Sequence, residues 1–410
     1  MLATPSPSLS STPQTSPSSK PSHQSPSPSP PGLVIQQCKD TEAVDLFYNW
    51  AARVGWNPGD KAGIRDVLLK TDPGGYFYGQ IDPSCVIHDE EPGAGGSANS
   101  NKSSTTEHQP QEQDQEQEQA QEESKVKVVA LSEDPTVISV ISAIRYGDEQ
   151  AWIGCYITDP KYRGRGYGIA TFNRALQHVL DSPYRKSVGL NAVFSQVDNY
   201  RKTGFTKSSW VNERRRGCVR ELVEVKEREL AERIGGEEEE GLVMLSDPRV
   251  DWEQLPAMEE KYTGFKRAES VKNWVRFHAN HPERHRVGVA FLSPDKLDPL
   301  TDKPLVLGYA CIRPGLTSYR AGPLYAANSS IAKLLLVKLA VHVLDAHKRN
   351  PSVEVPLIID IDIPDQNKGS VEMFDGIRWM STMSTLRMWR GEVPAYDVSG
   401  CFGISTLENG

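Results

Sequence analysis

The sequence has no long hydrophobic run. No stretch of its 410 residues approaches the ~20 consecutive apolar residues that a membrane-spanning helix needs. The first 32 residues are rich in Ser, Pro and Thr, with neither the apolar core of a secretory signal nor the arginines of a transit peptide. We therefore expect no membrane partner and an intracellular location, cytoplasmic in the first instance, with the nucleus left open.

Cysteine is scarce and scattered. The six cysteines form no CxxC pair and have no histidine at metal-ligand spacing. His278, His281 and His285 are close together in sequence, but beside Pro282 at a predicted helix end we interpret them as surface residues rather than ligands. We expect reduced cysteines in the core and no metal site.

Outside one segment, the chain lacks an excess of either charge. Residues 89–124 hold ten acidic residues and one basic residue, and residues 1–32 hold one lysine. The 44 basic and 44 acidic residues elsewhere balance, which gives no electrostatic footprint for nucleic acid. We interpret the cluster Arg214-Arg215-Arg216 as a surface feature at a strand end, and we expect no nucleic-acid partner.

Two low-complexity segments and one acidic joint divide the chain. Residues 1–32 are predicted to be a disordered Ser/Pro-rich tail, because they offer no apolar surface to bury. Residues 89–124 are predicted to be a long acidic insertion in a surface loop, which costs little closure entropy. A Gly/Glu linker at 235–240 then separates an N-terminal domain, 33–234, from a C-terminal domain, 241–410.

The segment Ile157 to Gly168 is the most informative part of the sequence. A β-branched and aromatic run ends at Asp159-Pro160, and apolar residues at helical spacing begin at Ile169. Between them, glycines let the backbone approach a phosphate, and the free amides of a helix N-terminus point at it. No Gly-Lys-Ser/Thr follows, as in a P-loop, and the spacing departs from the dinucleotide-binding fingerprint. The segment therefore predicts a different kind of pyrophosphate-binding loop.

This loop resembles the acetyl-CoA loop of the GCN5-related N-acetyltransferases (GNAT), whose pattern is Arg/Gln-x-x-Gly-x-Gly/Ala and is filled by Arg163, Gly166 and Gly168. Downstream, Tyr200 stands four residues before a Gly-Phe pair, as in that family. The resemblance implies that acetyl-CoA is the co-substrate and that Tyr200 protonates the leaving thiolate. The alternative, that Tyr200 only packs a helical turn, stays open. The implied cofactor-binding residues are Tyr156, Ile157, Thr158, Arg163, Gly164, Arg165, Gly166, Tyr167, Gly168 and Asn199.

The second half of the chain repeats the order of the first. A predicted strand at 305–313 leads into a predicted loop at 319–324, followed by a helix at about 329–347 and a strand at 356–363. The loop has one glycine, and Pro323 removes a backbone donor. At the position that matches Tyr200 stands Glu372. We predict a copy of the fold without a cofactor site.

The folded part as a whole resembles a tandem GNAT subfamily. The motifs that carry this resemblance are Gly55-Trp56-Asn57-Pro58-Gly59, Ala143-Ile144-Arg145-Tyr146-Gly147, Ile312-Arg313-Pro314, Gly322-Pro323-Leu324-Tyr325-Ala326 and Thr385-Leu386-Arg387-Met388. The resemblance implies an α/β (α+β) fold of two tandem GNAT-like acyl-CoA N-acyltransferase modules, each a mixed, mostly antiparallel sheet flanked by helices.

The acceptor is then expected between the two modules. Candidate lining residues are Trp56, Asn57, Arg313 and Asp362. The alternative for these residues is structural, with the tryptophan packing a helix corner and the aspartate capping a strand end.

The resemblance implies an acyl-CoA-dependent N-acyltransferase, in the simplest case an acetyltransferase, that acts on a primary amine by direct attack in a ternary complex. A non-catalytic CoA-binding sensor or scaffold is the alternative. The acceptor, the acyl length, the general base and the oligomeric state stay open at this point.

Overall fold

The computed structural model describes residues 30–87, 134–224, 241–279, 285–350 and 355–410. The acidic insertion, the linker and nearly all of the predicted tail lie outside the described residues. In the described part of the chain, no helix has the length and apolar content to cross a membrane.

The described part of the chain contains thirteen strands. In chain order they are β1 (Leu33–Gln37), β2 (Tyr76–Ile81), β3 (Val137–Tyr146), β4 (Gln150–Thr158), β5 (Ser187–Val193), β6 (Lys207–Cys218), β7 (Leu242–Met244), β8 (Val287–Leu297), β9 (Pro304–Pro314), β10 (Tyr319–Ala326), β11 (Ile358–Pro364), β12 (Met380–Gly391) and β13 (Cys401–Gly403).

Helices cover the faces of the sheet. They are α1 (Asp40–Arg53), α2 (Lys61–Gly63, Ile64–Leu68 and Leu69–Thr71, the middle part in π geometry), α3 (Tyr167–Leu180), α4 (Val197–Lys202), α5 (Gln254–Thr263), α6 (Ala268–Ala279), α7 (Ser329–Arg349) and α8 (Lys368–Gly376). α3 forms where the apolar periodicity predicts a helix: Phe172, Leu176 and Val179 are buried against the sheet, while Asn173 and Arg174 face solvent.

All strands belong to one sheet. Its order is β1-β2-β3-β4-β5-β12-β6-β11-β10-β9-β8-β7, and β13 pairs with β10. The only parallel pairs among the described strands are β4 with β5 and β10 with β11. The predicted fold class, a mixed and mostly antiparallel sheet flanked by helices, is confirmed.

The pairing pattern occurs twice. Strands β1 to β5 form three antiparallel pairs followed by one parallel pair, and strands β7 to β11 repeat that series. The last strand of each series then pairs with a strand from the other half: β5 with β12, and β11 with β6. β6 and β12 also pair with each other at the centre. The two halves therefore exchange one strand each, and their sheets are continuous.

Two ion pairs join the exchanged strand β6 to β11. Arg214 lies opposite Asp362 in the register and donates to both of its carboxylate oxygens, at 2.9 and 3.0 Å. Arg216 pairs in the same way with Asp360, at 2.7 and 2.8 Å. The interpretation of the arginine cluster as a surface feature is wrong, because Arg214 and Arg215 are buried and the cluster meets acidic partners of the other half.

Two further expectations from the sequence are wrong. Residues 319–324 belong to a buried strand, β10, rather than to a loop, because Pro323 falls at an irregularity in the β9–β10 pairing, where no ladder donor is needed. His278 and His285 are buried rather than on the surface: His278 binds the Trp274 carbonyl oxygen, and His285 binds the Tyr319 hydroxyl. His281 lies outside the described residues.

Candidate active site

A glycine-rich loop connects β4 to α3, as predicted. After a single 3-10 turn at Pro160–Tyr162, the backbone takes left-handed conformations at Gly164 (φ 73°) and Gly166 (φ 86°). Residues other than glycine rarely adopt such backbone angles. A β-carbon at Gly164 would meet no atom within 4 Å, and one at Gly166 would meet only Pro30. The loop therefore exposes its backbone.

The N-terminus of α3 has free donors. Gly166 is the N-cap residue, and no side chain caps the helix. The first helical hydrogen bond runs from the Ala170 amide to the Gly166 carbonyl oxygen, so the amides of Tyr167, Gly168 and Ile169 have no partner within the helix. These amides and the positive end of the helix dipole make an anion-binding site.

Two arginines flank this site. The Nε of Arg163 donates to the Thr158 carbonyl oxygen at 2.9 Å, which fixes the side chain across the end of β4. Arg165 is exposed and has no ion-pair partner among the described residues. Tyr167 packs edge to face on Tyr162, at 5.9 Å between ring centroids, and so anchors the loop to the core. The predicted loop residues thus lie together around one anion site.

β4 and β5 separate next to the loop. Their parallel pairing ends at Ile153 and Leu190, although β4 continues to Thr158. A bulge lies at this point: Cys155 has φ 46°, and the β3–β4 register shifts between Val140 and Ser142. Past Ile153, the edge of β4 that faces β5 has no strand partner in the described structure. Alternate backbone amides along this edge, that of Thr158 among them, border the gap, whereas Ile157 pairs with Val140 of β3.

Tyr200 lines the same gap from α4. Its ring contacts Phe172 and Phe205, with centroids 5.8 and 6.3 Å away, and Tyr156 contacts Phe172 from the other side at 5.3 Å. Burial raises the pKa of Tyr200, and the nearby Tyr156 raises it further. The hydroxyl is therefore protonated at physiological pH, and it has no hydrogen-bond partner among the described residues. Asn199, by contrast, is exposed and donates to Gln196 at 2.9 Å.

The predicted acceptor residues come together at the junction of the two halves, but most of their polar atoms already have partners. Asn57 is buried: its amide donates to Ser318 Oγ at 2.7 Å, and its side-chain oxygen accepts from the Thr317 amide at 2.9 Å. Trp56 is partly buried against the core of the first half. Asn57 thus fastens the segment after α1 to the β9–β10 connection, while Trp56 packs on the first half.

Asp362 is also committed to structure. Besides its bidentate pair with Arg214, it accepts from Arg320 Nη2 at 3.0 Å. Burial alone raises the pKa of Asp362, but the two guanidinium groups outweigh burial and lower it. Arg313 differs, because it stacks on Trp274 at 4.6 Å and its buried Nη1 has no hydrogen-bond partner. Burial, with Arg320 nearby, lowers the pKa of Arg313 to about 10.

The second half has no equivalent anion site in its described residues. Only Ala327 and Asn328 lie between β10 and α7, so the glycine loop has no counterpart. The Asn328 side chain caps α7 by accepting from the Ile331 amide at 2.9 Å. The second half therefore lacks both the glycine loop and the uncapped helix start that form the anion site of the first half.

The sequence did not point to residues 404–410, which lie between the halves. The Leu407 carbonyl oxygen accepts from Trp152 Nε1 and Asn191 Nδ2, and a β-carbon at Gly154 would overlap the Glu408 carbonyl group. Glu408 thereby reaches the bulge of β4. No local pattern in the sequence identifies it, because only tertiary contacts bring it there.

The cysteines follow the expectation of core burial only in part. All six cysteines are free, but only Cys38, Cys311 and Cys401 are buried in the core, and Cys85 is exposed. Burial, with a contribution from Glu408, raises the pKa of the Cys155 thiol beside the gap. No group of three or more His, Cys, Asp or Glu side chains in the described part is arranged to hold a metal ion.

Comparisons with known proteins agree with this geometry. Residues 98–205, which include the loop, α3 and Tyr200, match the model of the acetyltransferase (GNAT) family. Holothin acyltransferase from Pseudoalteromonas sp. (strain SANK 73390) is 26% identical over 274 residues, covering 67% of this chain and 78% of that protein.

Solved structures extend the similarity to almost the whole chain. A putative acetyltransferase from Pyrococcus horikoshii is similar with a TM-score of 0.57 at 16% identity, covering 95% of this chain and 99% of that one. N-myristoyltransferase from Saccharomyces cerevisiae is similar with a TM-score of 0.50 at 9% identity, covering 93% and 88%. The chain thus has the fold of the GNAT-type acyltransferases.

Proposed function

We propose that this chain, whose fold is that of the GNAT-type acyltransferases, transfers an acetyl group from acetyl-CoA to a primary amine by direct attack in a ternary complex. The observation that carries the proposal is the uncapped N-terminus of α3, which opens onto the gap between β4 and β5 with Tyr200 on its far side. Anion site, unpaired strand edge and proton donor are the three parts that a CoA thioester requires.

The pyrophosphate of CoA binds at the loop. The free amides at the start of α3 donate to its oxygens, and the left-handed glycines allow close approach. Arg163 and Arg165 add charge-assisted hydrogen bonds. The matching helix of the second half, α7, has its first-turn donor filled by Asn328, so the proposal assigns one acetyl-CoA to each chain.

The pantetheine arm follows the unpaired edge of β4 into the gap. A backbone amide from the strand end at Tyr156 to Thr158 then polarises the thioester carbonyl, as an oxyanion hole does. Most of the rate enhancement comes from holding the thioester and the amine together. Tyr200 donates a hydrogen bond to the leaving sulfur and gives up its proton as the C–S bond breaks.

Direct attack fits the site better than a covalent acyl-enzyme. A cysteine nucleophile reacts as the thiolate, and burial keeps the Cys155 thiol beside the gap protonated. The amine attacks the thioester carbon, the C–N bond forms, and CoA leaves as the thiol. Holothin, named by the relative, is the first acceptor to test, together with spermidine and L-lysine.

Isothermal titration of the full chain with acetyl-CoA tests the proposal. We expect one site per chain, lost in Gly166→Trp because the indole fills the approach to the α3 amides. Gly147→Trp is the matched control: Gly147 also has a positive φ, 61°, with open space around it, but it lies in the β3–β4 turn. That variant should bind like the wild type.

Three outcomes contradict the proposal or part of it. Unaltered binding in Gly166→Trp would remove the loop from the site. Two sites per chain would contradict a second half without a cofactor site. Binding without thiol release in the presence of any of the three amines would favour the CoA sensor or scaffold instead of an enzyme.

A further inference from the structure

The segment after β13 brings one carboxylate to the middle of the molecule. Residues 404–410 run from β11, where the Ile404 amide donates to the Asp362 carbonyl oxygen, to β4, where the Glu408 backbone packs against Gly154. Glu408 thus stands between the second half and the strand edge assigned to the thioester. Its side chain is 21% exposed, so solvent reaches it.

Glu408 is uncommitted, unlike the other acids at this junction. Asp360 and Asp362 are nearly inaccessible and hold bidentate pairs with Arg216 and Arg214. The Glu408 carboxylate accepts no hydrogen bond from the described residues. Its nearest cation is Arg320 Nη1 at 3.9 Å, whose donors already serve the Asn57 carbonyl oxygen and Asp362.

Several groups face this carboxylate. They are the Cys155 thiol on β4, Arg214 on β6, Arg313 on β9, Arg320 on β10 and the Thr406 hydroxyl on its own segment, which accepts from the Glu408 amide. Glu408 supplies the one carboxylate of this group of side chains.

We propose that Glu408 holds the acceptor ammonium beside β4 and takes up the proton released when the amine attacks. The inference rests on the proposed function and supplies its missing base. The bound ammonium first gives one proton to the Glu408 carboxylate, which passes it to solvent. As the resulting amine attacks, the C–N bond forms and the C–S bond breaks, a second proton passes from nitrogen to Glu408, and the Tyr200 proton passes to the departing sulfur. Solvent at the exposed edge of Glu408 then removes the proton and reprotonates Tyr200.

The position of Glu408 explains why a base is needed there. A primary amine with a pKa near 10.4 is almost wholly protonated at pH 7, and the ammonium is no nucleophile. A carboxylate at the attack site stabilises the bound cation and lies within reach when the proton is lost. Attack from the side of the second half also keeps the acceptor apart from the CoA loop.

The test compares wild type with Glu408→Gln, which keeps the shape of the side chain and removes its basicity. With the amine that supports wild-type thiol release, we expect kcat/KM at pH 7.5 to fall about 100-fold, as for loss of a general base. The acetyl-CoA dissociation constant should change less than about twofold, because the CoA site is built on other residues.

The pH profile separates catalysis from structure. In Glu408→Gln the amine must lose its proton in solution, so kcat/KM should rise about tenfold per pH unit and the deficit should narrow towards pH 9.5. A deficit that is equal at every pH, or activity within threefold of wild type, would overturn the role of Glu408. Glu372→Gln, an exposed residue of α8, is the control and should match wild type.

A second variant keeps the test decisive. Should Glu408→Gln unfold, Glu408→Asp retains the carboxylate and should give reduced activity with the wild-type pH slope; a steeper rise of about tenfold per pH unit, or activity equal to wild type, contradicts the proposal. Failure of the proposed function looks different, since the wild type itself would then release no thiol with any amine. In that event the role of Glu408 falls with it.

Discussion

The ring and the hydroxyl of Tyr200 have separate functions. The ring completes the aromatic cluster with Phe172 and Phe205, so it holds α4 against the sheet. The hydroxyl makes no contact that stabilises the fold among the described residues. Burial raises its pKa, so the hydroxyl keeps its proton, as the proposed role of an acid toward the leaving sulfur requires.

Tyr200→Phe should therefore lower turnover without lowering stability. We expect kcat to fall about 100-fold, the range for loss of a positioned acid, with the acetyl-CoA dissociation constant within about twofold of wild type. Steady-state thiol release and titration calorimetry measure the two quantities. Tyr184→Phe is the control, because Tyr184 is 68% exposed and should show no effect. Equal activity in both variants would leave Tyr200 with packing alone.

At the scale of elements, Asp72 connects three of them. It follows α2, accepts from the Arg145 amide and guanidinium on β3 at 2.9 to 3.0 Å, and contacts His178 Nε2 on α3 at 3.2 Å. Burial alone raises the pKa of Asp72, but hydrogen bonds from His178 and Arg145 outweigh burial and hold the pKa well below its usual range. The helix that presents the CoA loop is thereby fixed to the sheet.

Asp72→Asn should cost about 2 kcal/mol of unfolding free energy at pH 7, the scale of lost hydrogen bonds to a charged group. Because the folded-state pKa is lowered, the contribution is complete above the unfolded-state pKa of about 3.9 and is lost as pH falls towards the folded value. Urea unfolding should show a constant gap between pH 5 and pH 8 that shrinks below pH 4.

A matched surface pair checks this interpretation. Asp198 is 82% exposed and pairs with Arg201 on α4 at 2.8 Å, so Asp198→Asn should leave the unfolding midpoint unchanged. A gap for Asp72→Asn that persists undiminished at pH 3 would mean that the carboxylate charge is not what fixes α3.

The first-half loop and α3 could be predicted from the sequence, because the glycine spacing and the helical periodicity depend only on neighbouring residues. The same reasoning failed at β10, where Gly322-Pro323 imitates a turn but lies at an irregularity within a buried strand. It failed again at Arg214, since a charged cluster indicates a surface unless its distant partner is known. Glu408 was missed for the same reason: its contacts with β4 join residues about 250 positions apart.

For the molecule as a whole, the exchange of β6 and β12 determines how the halves depend on each other. β6 lies between β12 and β11 of the second half, and β12 lies between β5 and β6 of the first half. The Arg214–Asp362 and Arg216–Asp360 ion pairs fasten β6 to β11. Taking β6 away would expose the edge of β11 and leave Asp360 and Asp362 buried without those partners, which is strongly unfavourable. The acceptor site proposed above lies at this same junction, so in that proposal the second half supplies Glu408 and the frame around it.

The halves should therefore stay together when the chain between them is cut. With a protease site inserted between Gly236 and Glu237, cleaved protein should elute as one species in native buffer and separate only in denaturant, because the paired strands and buried ion pairs remain. A site inserted within residues 89–124 is the control for cleavage as such. In the proposal, CoA binding needs only the intact first-half loop, whereas acetyl transfer also needs Glu408 beside β4. Cleaved protein that remains associated should therefore retain both CoA binding and acetyl transfer. Separation in native buffer would show that the exchanged strands alone do not hold the halves together.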